Sequence, residues 1–306
     1  MAMSQNHLLM PGPAAWTEWA EACLCLGHGF LPPRHPRFRR GLRDDLTADL
    51  RDLNRQMSLA SEGALARFES ALRDLDPDSD ALLRTYSQLF LAPPTPASLN
   101  AGMYLDGGIL GNSVLEMEEI YERYALARDA EFRDLPDHLA LQLQFLGYLM
   151  AWSSESDTPD EALKDAHGFI RNHLLTWLPV LIRQCRCAEA RYALPPVYSS
   201  LVAVTLEALD SLHRVLPEPA AGDIETPPRD IPDNPAPKPA ADSGDTATCG
   251  RCSRPFMAGS ELAAMITALQ SHGLDASHLA VCADCRTSAM GLQPLTPPRP
   301  KKPGRE

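Results

Sequence analysis

Apolar residues recur at intervals of three and four through roughly the first 216 positions of this chain. Leu42, Leu46, Leu50, Leu53 and Met57 are spaced 4, 4, 3 and 4 apart, which puts them on one face of an α-helix. Leu65, Phe68, Leu72 and Leu75 repeat the pattern, as do Val114, Met117, Tyr121 and Tyr124, and Leu139, Leu143, Leu146 and Met150. A last long helix is predicted after Pro195-Pro196, with Leu201, Thr205, Leu209, Leu212 and Val215/Leu216 along one side. Alternation with period two and β-branched enrichment is almost absent. The pattern predicts an all-α helical bundle.

Proline ends that body. Eight prolines fall between Pro217 and Asp242, in a stretch with too few apolar groups to pack and a bias toward extended conformations. The expected organisation is a helical domain over 1–216, a Pro-rich flexible linker over 217–248, a small cysteine module over 249–293 and a disordered tail over 294–306. Residues 217–306 carry eleven acids and nine bases, which leaves the body 29 and 19, a net charge of −10 within a chain total of −12. That balance argues against nucleic-acid or anionic-membrane binding. No apolar run reaches the roughly 18 residues of a membrane span. The N-terminus has neither a basic segment nor a long apolar stretch, so a cytoplasmic location is expected.

The longest break in the helical pattern runs over 92–112 and contains Pro93, Pro94, Pro96, Gly102, Gly107, Gly108 and Gly111. Loops of that length in a compact domain are usually functional or disordered. Met103, Tyr104 and Leu105 within it predict partial packing against the bundle. Nucleotide-binding glycine loops, nucleophile elbows and the H-E-x-x-H zinc motif are all missing, so no enzymatic activity is expected.

One local constellation stands apart. In Leu135-Pro136-Asp137-His138-Leu139, proline suits the start of a helix and aspartate can cap it and complement its dipole. Taken alone, this reads either as a well-capped helix with a surface histidine or as part of a binding site.

The motifs in their order resemble the TorD/DmsD (NarJ-like) family of redox-enzyme maturation chaperones. Tyr86-Ser87-Gln88-Leu89-Phe90 followed by Pro93 is similar to the family's Y-x-x-L-F…P signature. Tyr104-Leu105-Asp106-Gly107 resembles the segment after it, and Leu135-Pro136-Asp137-His138-Leu139 with Gln142 to Leu146 resembles the proline-aspartate-histidine motif and its helix. Trp177-Leu178-Pro179 also fits. The resemblance implies a cofactor-free chaperone that binds the twin-arginine signal peptide and apo form of a molybdopterin oxidoreductase catalytic subunit. Such a chaperone assists cofactor insertion and holds back export. It implies client contacts at Asp137 and His138, with Tyr86, Phe90, Pro93 and Tyr104 as further motif positions. A peptide of that kind, two arginines before an apolar stretch, calls for acids beside an apolar groove. Asp134, Asp137, Glu116, Glu118 and Glu119 are the candidates, though the glutamate run also reads as a solvated helix face.

The module after the linker departs from the resemblance. Cys249-x-x-Cys252 and Cys282-x-x-Cys285 have the spacing of two knuckles that together give a tetrahedral four-thiolate site, the geometry of structural Zn2+. The spacer of 29 residues is longer than usual and leaves room for a helix capped by Ser260 and ended at Gly273. A mononuclear iron centre and a redox dithiol use the same ligands. The alternative function is therefore a zinc-dependent regulatory or scaffold protein that binds its partner through this module. Of the remaining pairs, Cys23/Cys25 sits in an apolar helix, and Cys185/Cys187 at a helix end near Arg183 and Arg186, which could lower a thiol pKa; buried or incidental thiols are the default reading for both.

Overall fold

The computed structural model describes residues 12–129, 132, 134–156 and 158–218, together with short strands at 246–248, 255–257 and 292–294. The chain divides into two units, Met1–Glu118 with Asp134–Thr226 and Glu119–Arg133 with Pro227–Glu306.

The first unit is helical. Its elements are α1 (Pro13–Gly29), α2 (Pro36–Met57), α3 (Glu62–Arg73), α4 (Ala81–Phe90), α5 (Gly102–Leu105), α7 (Leu139–Glu155), α8 (Asp160–Phe169), α9 (Leu178–Tyr192) and α10 (Val197–Val215). Helix α6 (Asn112–Arg123) begins in this unit. The predicted stripes bury as expected: Leu42, Leu46, Leu50 and Leu53 face inward from α2, and Leu65, Phe68 and Leu72 from α3. Leu75 and Tyr124 fall just beyond their helices.

Local chemistry sets the boundaries. Proline occupies the first turn of α1, α2 and α9, where its missing N–H costs nothing. Ser61 caps α3 by accepting from the Ala64 N–H at 3.3 Å. Helices α2 and α9 end at Ser58 and Ala193, both in the left-handed region.

Helix α7 is the hub. It is apolar on nearly every side, from Leu139, Leu141 and Leu143 to Phe145, Leu146, Leu149 and Met150, as a helix enclosed by others must be. Helix α1 packs along it, and α8 covers another side. The α1–α7 approach is close because two glycines sit in the seam: a Cβ on Gly147 would lie 3.1 Å from Leu24 and 3.2 Å from the Ala20 carbonyl, and one on Gly27 would lie 3.3 Å from the Ala140 carbonyl. Helix α10 packs on α3 and α9. A π-helical turn, Ile170–Leu174, follows α8 and leads to the fully buried Trp177 at the start of α9.

The second unit contains two antiparallel strand pairs. Strand β1 (Leu126–Arg128) pairs with β4 (Leu292–Pro294), and β2 (Thr246–Thr248) with β3 (Pro255–Met257). Helix dominates the described residues, as the all-α expectation for the body requires; β1 is the one short strand within 1–216 among them, and the other three lie beyond it. Each is three residues long and pairs with a partner that no local periodicity announces. Cys249, Cys252, Cys282 and Cys285, and the helix expected between Ser260 and Gly273, lie outside the described residues.

The buried-thiol reading holds for Cys23 and Cys185, while Cys187 is exposed. Cys23 is buried in α1, as its apolar neighbours predict. Cys185 lies within α9 rather than at a helix end, and burial pushes its thiol up, with Glu189 adding to the effect. The thiol is thus raised, not lowered as the neighbouring arginines suggested.

Candidate functional site

The site forms where the long break meets the start of α7. Here the chain crosses itself: the Leu139 N–H donates to the Leu99 carbonyl at 2.8 Å and the Ala101 N–H to the Asp137 carbonyl at 3.2 Å. Asn100 and His138 thus make an isolated antiparallel bridge.

Asp137 fastens the crossing with its side chain. One carboxylate oxygen accepts from the Gly102 N–H at 2.8 Å, the other from the Asn100 amide at 3.1 Å. The same Asn100 amide donates to Asp134 at 3.0 Å, so one side chain bridges two acids. Asp137 is completely buried. Burial raises its pKa, and the Gly102 and Asn100 donors partly counter that rise. Gly102 is required at this spot, since a Cβ there would stand 2.9 Å from the Gly108 carbonyl and 3.2 Å from the Asp137 carboxylate.

His138, not Asp137, caps α7. Its Nδ1 accepts from the Ala140 N–H at 3.1 Å. Aspartate is the better intrinsic cap, but here its carboxylate is committed to Gly102 and Asn100. Nor is His138 a surface residue, at 2% exposure. Burial lowers its pKa to about 4, against the opposing pull of Asp134, whose carboxylate lies 3.9 Å from Nε2. The imidazole is therefore neutral at physiological pH.

Tyr104 anchors the far side of the break. Its ring stacks on Trp177 with centroids 5.2 Å apart. Its hydroxyl accepts from the Ser98 N–H at 2.9 Å and lies 2.9 Å from both the Ser98 carbonyl and Gln184 Oε1, either of which can take its single proton. Asp106 continues the framework by accepting from the Ser113 N–H at 2.9 Å, beside the first turn of α6. A Cβ on Gly111 would land on the Asp106 carboxylate.

Tyr86 and Phe90 belong elsewhere. With Tyr198 of α10 they form a buried trio of edge-to-face rings, centroids 5.1 to 5.6 Å apart. The Tyr86 hydroxyl donates to the Phe30 carbonyl at 3.3 Å. Pro93 is exposed in the turn after α4. The structure thus brings Asp137 and His138 together beside the Tyr104 segment, places Tyr86 and Phe90 in a separate aromatic cluster, and leaves Pro93 on the surface.

Sequence reasoning missed Asn100, Gly102 and Gln184. A glycine two positions after an asparagine inside a Pro/Gly-rich break was the only signal for the first two, and Gln184 gave none. Among the described residues no group of three His, Cys, Asp or Glu side chains could hold a metal ion, and no helix is long and apolar enough to cross a membrane.

The described residues thus form a helical bundle with a buried Asp-His pair at the start of α7. Residues 54–183 match the nitrate reductase delta subunit family. The chain is 32% identical over 144 residues to the chaperone protein TorD of Vibrio cholerae O395, an alignment covering 43% of this chain and 66% of that one. TorD of Aliivibrio fischeri is 38% identical over 125 residues (39% and 58%), and TorD of Photobacterium profundum is 29% identical over 131 (40% and 61%). A solved structure of a candidate redox enzyme maturation protein from Archaeoglobus fulgidus aligns over 62% of this chain and 99% of its own, at 16% identity and a TM-score of 0.32, too low to carry an argument. The family model and these relatives together support membership of the TorD-type family of maturation chaperones. It spans just under two thirds of the length of the first of these curated relatives.

Proposed function

We propose that this protein is a cytoplasmic chaperone that binds the twin-arginine signal peptide and the apo form of a molybdopterin oxidoreductase catalytic subunit. In this reading it assists cofactor insertion and prevents premature export. The observation that carries the proposal is the construction at α7: the proline-aspartate-histidine motif, whose order and spacing resemble the family's, is built into a fully satisfied buried junction with the Asn100–Leu105 segment. Asp137, His138, Tyr86, Phe90, Pro93 and Tyr104 are the residues assigned to client recognition, directly or through the surfaces they hold.

The net negative body agrees with a basic-then-apolar ligand. The role needs no catalytic group. Cys249, Cys252, Cys282 and Cys285 are proposed to hold one structural Zn2+, because four thiolates in two C-x-x-C knuckles saturate that ion and leave no open position. Affinity purification of tagged full-length protein from its native cells tests both ideas. A molybdopterin oxidoreductase subunit retaining its leader, with one zinc per chain by elemental analysis, is expected. Absence of such a subunit from cells that express these enzymes overturns the chaperone reading, and a zinc-free eluate overturns the metal assignment.

A further inference from the structure

Resting on that reading, the inference concerns which atoms meet the client. Asp137 and His138 are buried and their polar atoms are occupied at home: the carboxylate by Gly102 and Asn100, the imidazole Nδ1 by Ala140. What these bonds hold is the segment that follows Asn100. That segment carries an unusual load. Of the seven large apolar side chains exposed among the described residues, five lie between Met103 and Leu115: Met103, Leu105, Ile109, Leu110 and Leu115, with Leu110 at 84% and Leu115 at 59%. Scattered apolar residues on a surface need no explanation, but a concentration of them does.

The segment does not reach solvent by being loose. Asp137 pins its start at Gly102, the stacked and hydrogen-bonded Tyr104 pins it one turn on, and Asp106 ties it to Ser113. Apolar side chains fixed outward cost solvation free energy unless something covers them.

Charge decides what that is. Between Arg84 and Arg123 the sequence has no lysine or arginine, whereas Asp106 within the segment and Glu116 and Glu118 just after it are exposed, Glu116 with an oxygen 4.0 Å from His173. A second copy of the chain would bring apolar side chains onto apolar ones but also acids onto acids. A peptide with arginines ahead of an apolar stretch matches both features.

We propose that the Met103–Leu115 segment is the surface on which the apolar stretch of the client's signal peptide docks, and that Asp137 and His138 are positioning residues that hold it there. Asp106, with Glu116 and Glu118 just beyond the segment, faces the basic end of the peptide.

The test uses full-length protein and a synthetic fluorescent peptide with two arginines followed by an apolar stretch, read by anisotropy. An Ile109→Ser/Leu110→Asp variant changes side chains already in solvent. It is expected to keep its helicity and urea midpoint while binding at least tenfold more weakly. Binding by wild type with no loss in this variant overturns the docking surface and leaves the functional reading standing. A variant that shifts sedimentation from dimer to monomer without changing peptide affinity assigns the surface to self-association and also overturns it. No binding by wild type removes the reading itself, and the inference with it.

Positioning has its own readout. Asp137→Asn keeps an oxygen for the Gly102 N–H, and Asn100 keeps Asp134, so binding is expected to recover most of what Asp137→Ala loses. Equal loss in both variants makes the Asp137 charge a contact and overturns its positioning role.

Discussion

The carboxylate of Asp137 holds the backbone N–H of Gly102 at 2.8 Å, deep enough that neither group meets water. This bond makes two segments far apart in sequence into one structural unit, and its removal has a calculable effect. Asp137→Ala leaves the Gly102 N–H buried without an acceptor and takes one of two acceptors from Asn100. An unsatisfied buried donor costs about 1–3 kcal/mol. A loss of that size is expected in urea unfolding.

Gly102→Ala approaches the same bond from the other side. The added methyl would sit 2.9 Å from the Gly108 carbonyl, which is backbone and yields only by moving the segment. Overpacking of this kind costs about 1–3 kcal/mol. Faster amide hydrogen exchange over 99–108 at constant helix content is the expected signature. Unaltered exchange there would mean that the segment takes up the methyl freely.

His138 makes stability depend on acid. Its folded pKa is about 4 against an ordinary 6.5, so between those values the unfolded chain binds more protons than the folded one. The stabilisation is complete above about pH 6.5, is lost as pH falls, and levels off below about 4. Burial lowers His167 in the same direction, whereas Asp137 and Glu189 are raised and oppose both in the acid range. His138→Asn isolates the effect, because asparagine caps a helix without titrating. The difference in urea midpoint between wild type and this variant is expected to vary from pH 7 to pH 4.5. A constant difference excludes His138 as the source.

The aromatic trio separates packing from hydrogen bonding. The Tyr198 hydroxyl is buried with no partner, while that of Tyr86 has the Phe30 carbonyl. Tyr198→Phe is therefore expected to leave stability unchanged or raised, and Tyr86→Phe to lose about 1 kcal/mol. Thermal melts of the two variants side by side decide it; the reverse order would place an acceptor near Tyr198 instead.

Thiol reactivity follows burial. Cys187 is exposed, Cys25 is half-buried with its pKa pushed up to about 12, and Cys23 and Cys185 are buried with thiols raised further. Peptide mapping after brief iodoacetamide treatment of native protein should find Cys187 alkylated well before the other three. Early labelling of Cys185 would show that α9 opens locally.

How much of this could be read beforehand depended on the range of each interaction. The stripe Leu42–Leu46–Leu50–Leu53 announced α2 because a helix face repeats within the window that one element occupies. The caps were half-readable: Leu135 to His138 marked the start of α7, yet the cap fell to His138 because Asp137 had a stronger use elsewhere. That use was invisible, since Gly102 is 35 positions away and supplies only a backbone N–H, which leaves no trace in residue type. The same holds for Gln184 against Tyr104, 80 positions apart. Strand β1 was hidden for the same reason, its partner β4 lying near the other end of the chain.

The span between Gly102 and Asp137 also orders events in time. A contact closing a loop of 35 residues pays chain entropy before it is rewarded, so it is expected to form after the local helices and the placement of α7. During synthesis, the segment around Gly102 leaves the ribosome well before the aspartate that will hold it. Until α7 follows, Met103 to Leu115 have no fixed presentation. A half-made chain therefore offers no finished surface, and completion of the bundle becomes the condition for displaying one.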